Sequence, residues 1–306
     1  MTAGHAGHDH RVAGDADTRY LRAALGLLVA FMAFEIVVAL ISGSLALFAD
    51  AGHMVSDAGA IAGALWAIRL AARPAQGRWT FGFKRAEIVS ASLNGITLVV
   101  VAVIIAIEGV ERLVHPPDVE GTPVLVVALV GVVVNVAATW VLAKANRTSM
   151  NVEGAYRHIL TDLYAFVGTA VAGLIIVLTG WTRADSIASL VVVMLMLHAA
   201  WGLLRDSGEV LLEAAPEGVD LDDIRAHILA VPEVSAVHDL HVWTVTSSMP
   251  ALSAHVVVDD ACFQNGRAPQ VLDRLQNCLG GHFDVEHSTF QLEPAGHTEH
   301  EHTTHD

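Results

Sequence analysis

Charged residues are scarce in this chain of 306 residues. Asp, Glu, Lys and Arg together make up 16% of it, whereas hydrophobic residues make up 54%. A soluble protein of this size carries about 25% charged residues. Residues 20–207 form a series of long apolar runs, and most of the charged residues lie outside these runs. This distribution excludes two ordinary soluble domains and predicts a membrane region followed by a soluble tail.

Lysine and cysteine are rarer still. The two lysines, Lys84 and Lys144, do not follow a glycine, so a GxxxxGK[ST] loop and ATP hydrolysis by that route are excluded. Cys262 and Cys278 form no CxxC pair, which predicts neither a disulfide framework nor a thiolate metal cluster. The first eighteen residues contain no apolar segment, so we expect no cleaved signal peptide.

Acidic residues and histidines outnumber basic residues. The formal net charge is −15, and the chain carries 17 histidines. Such a composition disfavours nucleic acid as a partner and suits divalent metal ions. Histidines recur at both chain ends, where a His-rich tail either gathers metal weakly or is a dispensable solvated segment.

Six apolar runs have the length of a membrane-spanning helix, about 20 residues. They are Ala23–Ile41, Leu45–Ile68, Ile88–Ile107, Val124–Ala143, Leu163–Trp181 and Ser186–Leu204. We expect the fifth helix to extend back to about Val152. The fold class that follows is an α-helical membrane protein with six transmembrane helices and a C-terminal soluble domain.

Lys and Arg residues are unevenly distributed between alternate loops. If the N-terminus is cytoplasmic, the inner segments hold twelve of them and the outer loops hold only Arg112 and Arg183. The positive-inside rule therefore predicts that both termini are cytoplasmic. The expected location is the cell (inner) membrane, with the lipid bilayer as surrounding partner.

Two of the predicted spans contain the same polar motif, HxxxD. His53 and Asp57 lie in the second span, and His158 and Asp162 lie in the fifth. A spacing of four residues puts both side chains on one helix face. Two such faces brought together offer two imidazoles and two carboxylates, a ligand set that suits Zn²⁺ and balances its charge.

A single HxxxD in a helix is common, but two of them inside predicted membrane spans predict a metal site. Glu35 in the first span and Asp50 in the second are less specific signals. Each is either a pathway group, a proton carrier or a helix–helix tether at the same cavity, or a hydrogen-bonded packing group.

The tail, residues 211–294, reads as a small α+β unit. We predict helices at Leu221–Val231 and Pro269–Leu279, and strands at Val234–Thr246, Ala251–Val258 and His287–Glu293. On the last strand, alternation places Phe290 and Leu292 on one face and His287, Gln291 and Glu293 on the other.

Four stretches resemble the cation diffusion facilitator family, in its zinc-exporting branch. They are ADAGHMVSD at 49–57, FGFKRAE at 81–87, HILTD at 158–162 and VHDLHVW at 237–243. They occur in the family's order and spacing and extend over nearly the whole chain.

The resemblance implies a homodimer that exchanges zinc for protons by alternating access. Each protomer would have six helices and a cytoplasmic, metallochaperone-like αββαβ domain. His53 at the first motif position implies a preference for zinc over cadmium. The expected division is a disordered His-containing tail (1–18), a transmembrane cation-efflux domain (19–208), a cytoplasmic dimerisation and metal-binding domain (209–294), and a disordered His-rich tail (295–306).

The resemblance also implies roles for residues near the tail domain. A cytoplasmic zinc site would use His238, His255, Glu293 and His287, although Gln291 stands where some relatives have a histidine ligand. Arg85 and Glu213 match positions where an ion pair ties the third helix to the tail domain. The loop 76–83 lacks the Asp and His of a second, surface metal site in some members, so we predict no such site.

Export of a divalent ion needs a driving force. Moving two charges against 100 mV costs about 4.6 kcal/mol, since each charge costs about 2.3 kcal/mol. Without an ATPase motif, inward proton flow is the natural source, because all four predicted ligands bind either metal or protons. The rival interpretations are a membrane metal sensor that does not transport, and a membrane metalloenzyme, which would usually need an HExxH motif that the chain lacks.

Overall fold

The structure is a computed structural model. It describes residues 10–42, 45–116, 121–145, 150–246, 249–283, 285 and 287–297. Within these ranges it describes the backbone alone at residues 10–17, 35, 38–42, 45–53, 55, 56, 123, 151, 281 and 282. The chain forms two compact units, Met1–Ser207 and Gly208–Asp306.

The first unit consists of six long helices. They are α1 (His10–Ser42), α2 (Leu45–Ala71), α3 (Ala86–Val114), α4 (Gly121–Leu142), α5 (Met150–Thr179) and α6 (Arg183–Leu211), whose last turn enters the second unit. Among the residues described, four segments are long and apolar enough to cross a membrane: Ala86–Val114, Val124–Leu142, Val152–Thr179 and Arg183–Leu211. The chain therefore has a helical membrane domain. The expected count of six spans stays a prediction for α1 and α2.

The outward surfaces of these helices are apolar. Leu93 and Ile107 on α3, Val133 on α4 and Met194 on α6 all belong to the exposed large hydrophobic side chains. A helix in lipid satisfies its backbone internally and turns apolar side chains outward. Helices in lipid are held together by close packing and a few polar contacts rather than by exclusion of water.

One apolar cluster joins α1, α2, α4 and α5. Its buried members are Leu21, Ala24, Leu28, Phe31, Met54, Ile61, Leu65, Ala138, Leu142, Ala145, Val152, Ala155 and Ile159. On α5 they are three and four residues apart, and on α2 they are seven and four residues apart, which are the spacings of one helix face. This cluster fixes the rotation of α2 and α5 about their own axes.

A second cluster joins α3 to α6. Leu98 and Ala102 of α3 pack with Val192, Met196 and Ala200 of α6. Toward the other end of α3, Arg183 Nε donates a hydrogen bond to the Leu113 carbonyl oxygen at 3.2 Å. These contacts make α3 and α6 a packed pair.

Close approach of α4 to α5 depends on Gly131. A Cβ atom at this position would clash with the Phe166 ring, and that ring in turn contacts Phe31 edge-on, with 6.2 Å between centroids. We therefore expect Gly131→Ala to destabilise the protein by about 1–3 kcal/mol, the usual cost of overpacking. Thermal unfolding of the purified full-length protein in detergent measures it.

The matched control is Gly26→Ala, because a Cβ there meets nothing within 4 Å. This control is expected to keep the wild-type melting temperature or to raise it slightly, since Ala favours a helix over Gly. Equal melting temperatures for the two variants would contradict the close α4–α5 packing.

The second unit is a three-stranded sheet with helices. Its elements are α7 (Leu221–Leu229), β1 (Val234–Thr246), β2 (Met249–Val258), α8 (Asp260–Gln264), α9 (Ala268–His282) and β3 (His287–Pro294). The sheet order is β1-β2-β3, with β1 antiparallel and β3 parallel to β2. A parallel neighbour needs a crossover connection, which α8 and α9 supply.

The core of this unit lies between one sheet face and the helices. Buried residues of α7 and α9, including Ile224, Ile228, Leu275 and Leu279, pack with Val256 and its neighbours on the sheet. The other sheet face carries polar side chains at alternate positions, as the period of two requires. The order of predicted elements agrees with the structure except for α8, a single turn capped by the Asp259 side chain, which accepts from Ala261 N–H.

Candidate metal centres

The apolar stripes of α2 and α5 carry acidic residues and a histidine at their inner positions. On α2, Asp57 follows Met54 and precedes Ile61 on the buried face. On α5, His158 and Asp162 continue the stripe formed by Val152 and Ala155. The packing that buries the apolar residues therefore turns these three polar side chains inward.

Asp57, His158 and Asp162 meet at one point inside the first unit. His158 Nε2 lies 2.8 Å from Asp57 Oδ1 and 3.8 Å from Asp162 Oδ2. One ligand atom from each residue lies within 4.8 Å of the others. The edge of a tetrahedral zinc site is about 3.3 Å for ligands about 2.0–2.2 Å from the ion, so small side-chain movements would suffice.

These three side chains are almost completely shielded, with 5%, 3% and 8% of their residue surfaces exposed for Asp57, His158 and Asp162. Two carboxylates and one neutral imidazole bring two negative charges into a poorly solvated place. Buried charges are costly unless they are compensated. A divalent cation would neutralise both carboxylates, so the chemistry of the group favours metal.

The contact between His158 and Asp57 has a specific consequence. A ring nitrogen and a carboxylate oxygen 2.8 Å apart need one proton between them, because both atoms otherwise present only lone pairs. The same Nε2 lone pair is the one that would bind a metal. A metal ion and this proton therefore compete for one atom.

The other predicted members of this site lie on helical backbone whose side chains are outside the described residues. His53 and Asp50 belong to α2, where His53 is one turn before Asp57, and Glu35 belongs to α1. Their roles stay predictions.

A charged clamp beside the site was missed in the sequence. Arg157 precedes His158, and its Nε lies 2.8 Å from Glu153 Oε1 while its Nη1 lies 3.5 Å from Asp206 Oδ2 of α6. These contacts tie the guanidinium to two carboxylates outside the metal-binding group. The i,i+4 spacing of Glu153 and Arg157 predicts their ion pair, whereas no sequence spacing predicts the contact of Arg157 with α6.

A second group of metal-ligating side chains lies on the sheet of the C-terminal unit. Glu293 of β3 is 1% exposed, and its two oxygens face two histidines. Oε1 lies 2.7 Å from His255 Nδ1, and Oε2 lies 3.3 Å from His238 Nε2. The two imidazole rings lie edge to face, with centroids 5.1 Å apart.

This arrangement follows from strand register. His238 on β1 is paired with His255 on β2, and His255 is paired with Gln291 on β3. Glu293 lies two residues beyond Gln291, on the same face of β3. Two imidazoles and a carboxylate form a donor set that fits zinc.

Two family models match the chain, and together they extend over most of it. The family model for the cation efflux transmembrane domain matches residues 21–212, and the model for the cytoplasmic domain of cation efflux proteins matches residues 216–295. The chain belongs to the cation efflux, or cation diffusion facilitator, family. It is accordingly a multi-pass integral membrane protein.

Named relatives of this cation efflux protein are similar over almost their full length. The metal cation efflux system protein CzcD of Cupriavidus metallidurans is 40% identical over 96% of this chain and 91% of its own. The zinc transporter ZitB of Escherichia coli is 38% identical over 96% and 93%. A cadmium, cobalt and zinc/H(+)-K(+) antiporter of Bacillus velezensis is 34% identical over 95% and 93%.

One solved structure was also similar in sequence. It is the metal-bound C-terminal domain of the CzcD transporter, 40% identical, which covers 24% of this chain and 99% of the solved chain with a TM-score of 0.22.

The tail group of this cation efflux protein differs from the prediction at three residues, His287, Asp239 and Gln291. His287 begins β3 opposite Ala251, six residues before Glu293, and is therefore about 20 Å from it along the strand. Within this chain the structure does not bring His287 to the group. Alternation along a strand predicts which residues share a face, but it does not predict that two residues on that face lie close together.

Asp239 and Gln291 were not predicted as contributors. Asp239 Oδ2 lies 3.9 Å from His238 Nδ1, and its positive φ of 46° accompanies a register shift between His238 and His241. Such a bulge re-aims a side chain toward its neighbour. Gln291 Nε2 donates to Glu293 Oε1 at 2.8 Å, which orients the carboxylate rather than replacing a ligand.

The predicted ion pair between Arg85 and Glu213 joins two different units. Arg85 directly precedes α3, and Glu213 follows α6 with a positive φ of 62°. The pair stays a prediction.

We expect Glu293→Gln to lower zinc binding to the purified full-length protein by about one ion per protomer, since loss of one charged ligand disables a site of this kind. Equilibrium dialysis followed by metal analysis measures the stoichiometry. Glu217→Gln, which neutralises an exposed carboxylate of the same unit, is the matched control. If both variants bind the same number of zinc ions, the Glu293 carboxylate is not a ligand of the site.

Proposed function

We propose that this protein is a secondary transporter that exports Zn²⁺ from the cytoplasm in exchange for protons. The observation that carries the proposal is the buried group of Asp57, His158 and Asp162 in the helical membrane unit, in which His158 Nε2 lies 2.8 Å from Asp57 Oδ1. His53 would be the fourth ligand, since it lies one turn before Asp57 on α2.

The names of the relatives support this substrate class. ZitB is named as a zinc transporter, CzcD as a metal cation efflux protein, and the Bacillus protein as a cadmium, cobalt and zinc antiporter. These proteins are transporters rather than enzymes, and we assign this chain to the same activity. Zinc is the first expected substrate, because the ligand set combines imidazole nitrogens with carboxylate oxygens.

The exchange itself follows from competition at shared atoms. Zinc binds His158 as a neutral imidazole and Asp57 as a carboxylate, so its binding would displace a proton held by an imidazolium or by a carboxylic acid of this pair. When protons return to these groups, they neutralise the carboxylates and weaken the hold on zinc. Alternating exposure of the group to the two sides of the membrane would convert this competition into antiport, with the inward proton gradient as driving force.

The wider architecture of the proposal follows the resemblance and the positive-inside rule. Six helices within residues 19–208 would span the inner membrane, with both termini cytoplasmic. Residues 209–294 would form a cytoplasmic domain that joins two copies in a homodimer, and residues 1–18 and 295–306 would be tails. The group of His238, His255 and Glu293 would bind a further zinc ion in that domain, which would tighten the dimer.

The test is zinc flux in sealed proteoliposomes that contain the purified protein and a zinc-sensitive dye. A proton gradient directed opposite to zinc movement is expected to drive zinc uptake, and a protonophore is expected to abolish the gradient-driven part. Vesicles without protein give the leak rate. Zinc uptake equal to this leak would contradict transport.

A membrane metal sensor is the second candidate, and the tail group of His238, His255 and Glu293 favours it, because it could bind zinc without any transport. A sensor would bind zinc with the same ligands but would give no flux above the leak in this experiment.

A further inference from the structure

Basic residues are concentrated in one short segment of this acidic chain. Residues 69–85 hold five of the 17 Lys and Arg residues and no Asp or Glu, although the whole chain has a net charge of −15. The five are Arg69, Arg73, Arg78, Lys84 and Arg85. The segment runs from the last turn of α2 to the residue before α3.

The segment is a folded loop of consecutive turns. Trp79 N–H donates to the Gln76 carbonyl at 3.1 Å, and Gly82 N–H donates to the Trp79 carbonyl at 3.0 Å. Gly82 has a φ of 65°, and a Cβ there would lie 3.0 Å from the Arg73 carbonyl oxygen. Glycine thus allows the loop to pack against the end of α2, which gives the basic side chains a defined arrangement.

The loop encloses a partly open cavity of about 520 Å³. Arg73, Gln76, Arg78, Trp79 and Phe83 contribute to its lining. The Trp79 and Phe83 rings lie 4.9 Å apart, and the Arg78 guanidinium lies 5.4 Å from the Trp79 ring. The cavity therefore combines guanidinium groups with a platform of aromatic rings.

The two arginines of this cavity are not paired with a carboxylate among the described residues. In the parts of the chain that the structure describes, neither Arg73 nor Arg78 forms an ion pair. A guanidinium presents a planar fork of donors that matches the oxygens of a phosphate. The chemistry points to an anionic ligand from outside the chain and excludes a metal cation.

The loop also exposes two large aromatic side chains beside its charges. Trp79 and Phe81 are 48% and 50% exposed, and Trp66 lies exposed on the turn of α2 before Arg69. Exposed Trp next to Lys and Arg at the end of a spanning helix is typical of the headgroup region of a bilayer. Binding of a soluble phosphate compound would leave these apolar rings exposed to water, whereas a lipid bilayer would cover them.

We propose that the α2–α3 loop is a binding site for the phosphate headgroup of an anionic phospholipid. Arg73 and Arg78 bind the phosphate, and Trp79 and Phe81 insert at the boundary with the acyl chains. This site goes beyond the proposed function. It rests on that proposal only for the membrane leaflet: with both termini cytoplasmic, the loop faces the inner leaflet.

The test measures lipid binding to the full-length protein in detergent by native mass spectrometry. The probes are phosphatidylglycerol and phosphatidylcholine with identical acyl chains. We expect the wild type to prefer phosphatidylglycerol, and we expect Arg73→Gln together with Arg78→Gln to reduce that preference by about 30-fold, since each basic residue near an anionic surface contributes about fivefold. Arg73→Lys with Arg78→Lys should lose part of it, because lysine keeps the charge but not the fork.

The matched control is Arg19→Gln with Arg22→Gln, which removes the same charge from exposed positions of α1. This control is expected to retain the preference. Equal loss in both double variants would overturn the site in favour of non-specific attraction. No preference in the wild type would overturn it too, as would displacement of the lipid by inorganic phosphate at equal concentration, which would assign the cavity to free phosphate.

These outcomes are independent of transport. A protein that binds phosphatidylglycerol at this loop but moves no zinc in the flux experiment would contradict the proposed function alone. A protein that transports zinc but shows no lipid preference would contradict the loop site alone.

Discussion

Replacing Asp162 by Asn is expected to reduce zinc transport by about 100-fold or more. Asp162 is buried on α5, with Oδ2 3.8 Å from His158 Nε2, so its carboxylate supplies one of the two charges that compensate the ion. Loss of a residue that merely supports a metal ligand already costs about 10–100-fold, and loss of a charged ligand should cost more. An amide keeps the shape of the side chain but cannot neutralise a cation.

The measurement is the initial rate of zinc uptake into proteoliposomes at equal protein content. Asp206→Asn serves as control, because it neutralises a carboxylate of the same helical unit that pairs with Arg157 instead of facing the metal group. The control is expected to retain most of the wild-type rate. A wild-type rate for Asp162→Asn would exclude its carboxylate as a ligand.

Zinc affinity at this group is expected to rise about tenfold per pH unit for each proton that zinc displaces. The sign follows from the ligand chemistry: zinc binds neutral imidazole and ionised carboxylate, so a proton that makes His158 an imidazolium or Asp57 a carboxylic acid must leave before zinc binds. Raising the pH removes this competitor, so affinity increases. Calorimetric titrations in buffers of different ionisation enthalpy, within about one pH unit of neutrality, count the released protons directly.

The titration is best performed on the full-length Glu293→Gln protein, in which the tail site is expected to be disabled. His158→Gln in the same background removes the imidazole nitrogen that binds zinc. This variant is expected to release about one proton fewer for each zinc ion that it binds. An affinity that does not change with pH would show that zinc and protons do not share these atoms, and antiport by this route would fail.

The local part of the candidate site could be read from the sequence. A spacing of four residues fixes a common helix face, so His158 and Asp162 had to be neighbours if α5 formed. The contact between Asp57 and His158 joins residues 101 apart and depends on how α2 and α5 pack. The apolar stripe that orients each helix, such as Met54 and Ile61 around Asp57, was the signal that connected the two.

In the tail domain, the bounds of a strand could be predicted from the sequence, but the pairing of strands could not. β1 has the predicted bounds, Val234–Thr246, because alternation and β-branched residues mark it clearly. The parallel pairing of β3 with β2 and the bulge that brings Asp239 to His238 were not predictable, since both depend on neighbours distant in sequence. His287 lies on the predicted face of β3, but the register places it at the opposite end of the strand from Glu293.

Zinc density from anomalous scattering at the zinc absorption edge, in crystals of the zinc-loaded protein, tests the central claim most directly. The account predicts a peak within the first unit that is bound by Asp57, His158 and Asp162, with His53 as fourth ligand and each ligand atom about 2.0–2.2 Å from the ion. Zinc located in that unit but away from these side chains, or protein that transports zinc with these four residues turned to lipid, would contradict it.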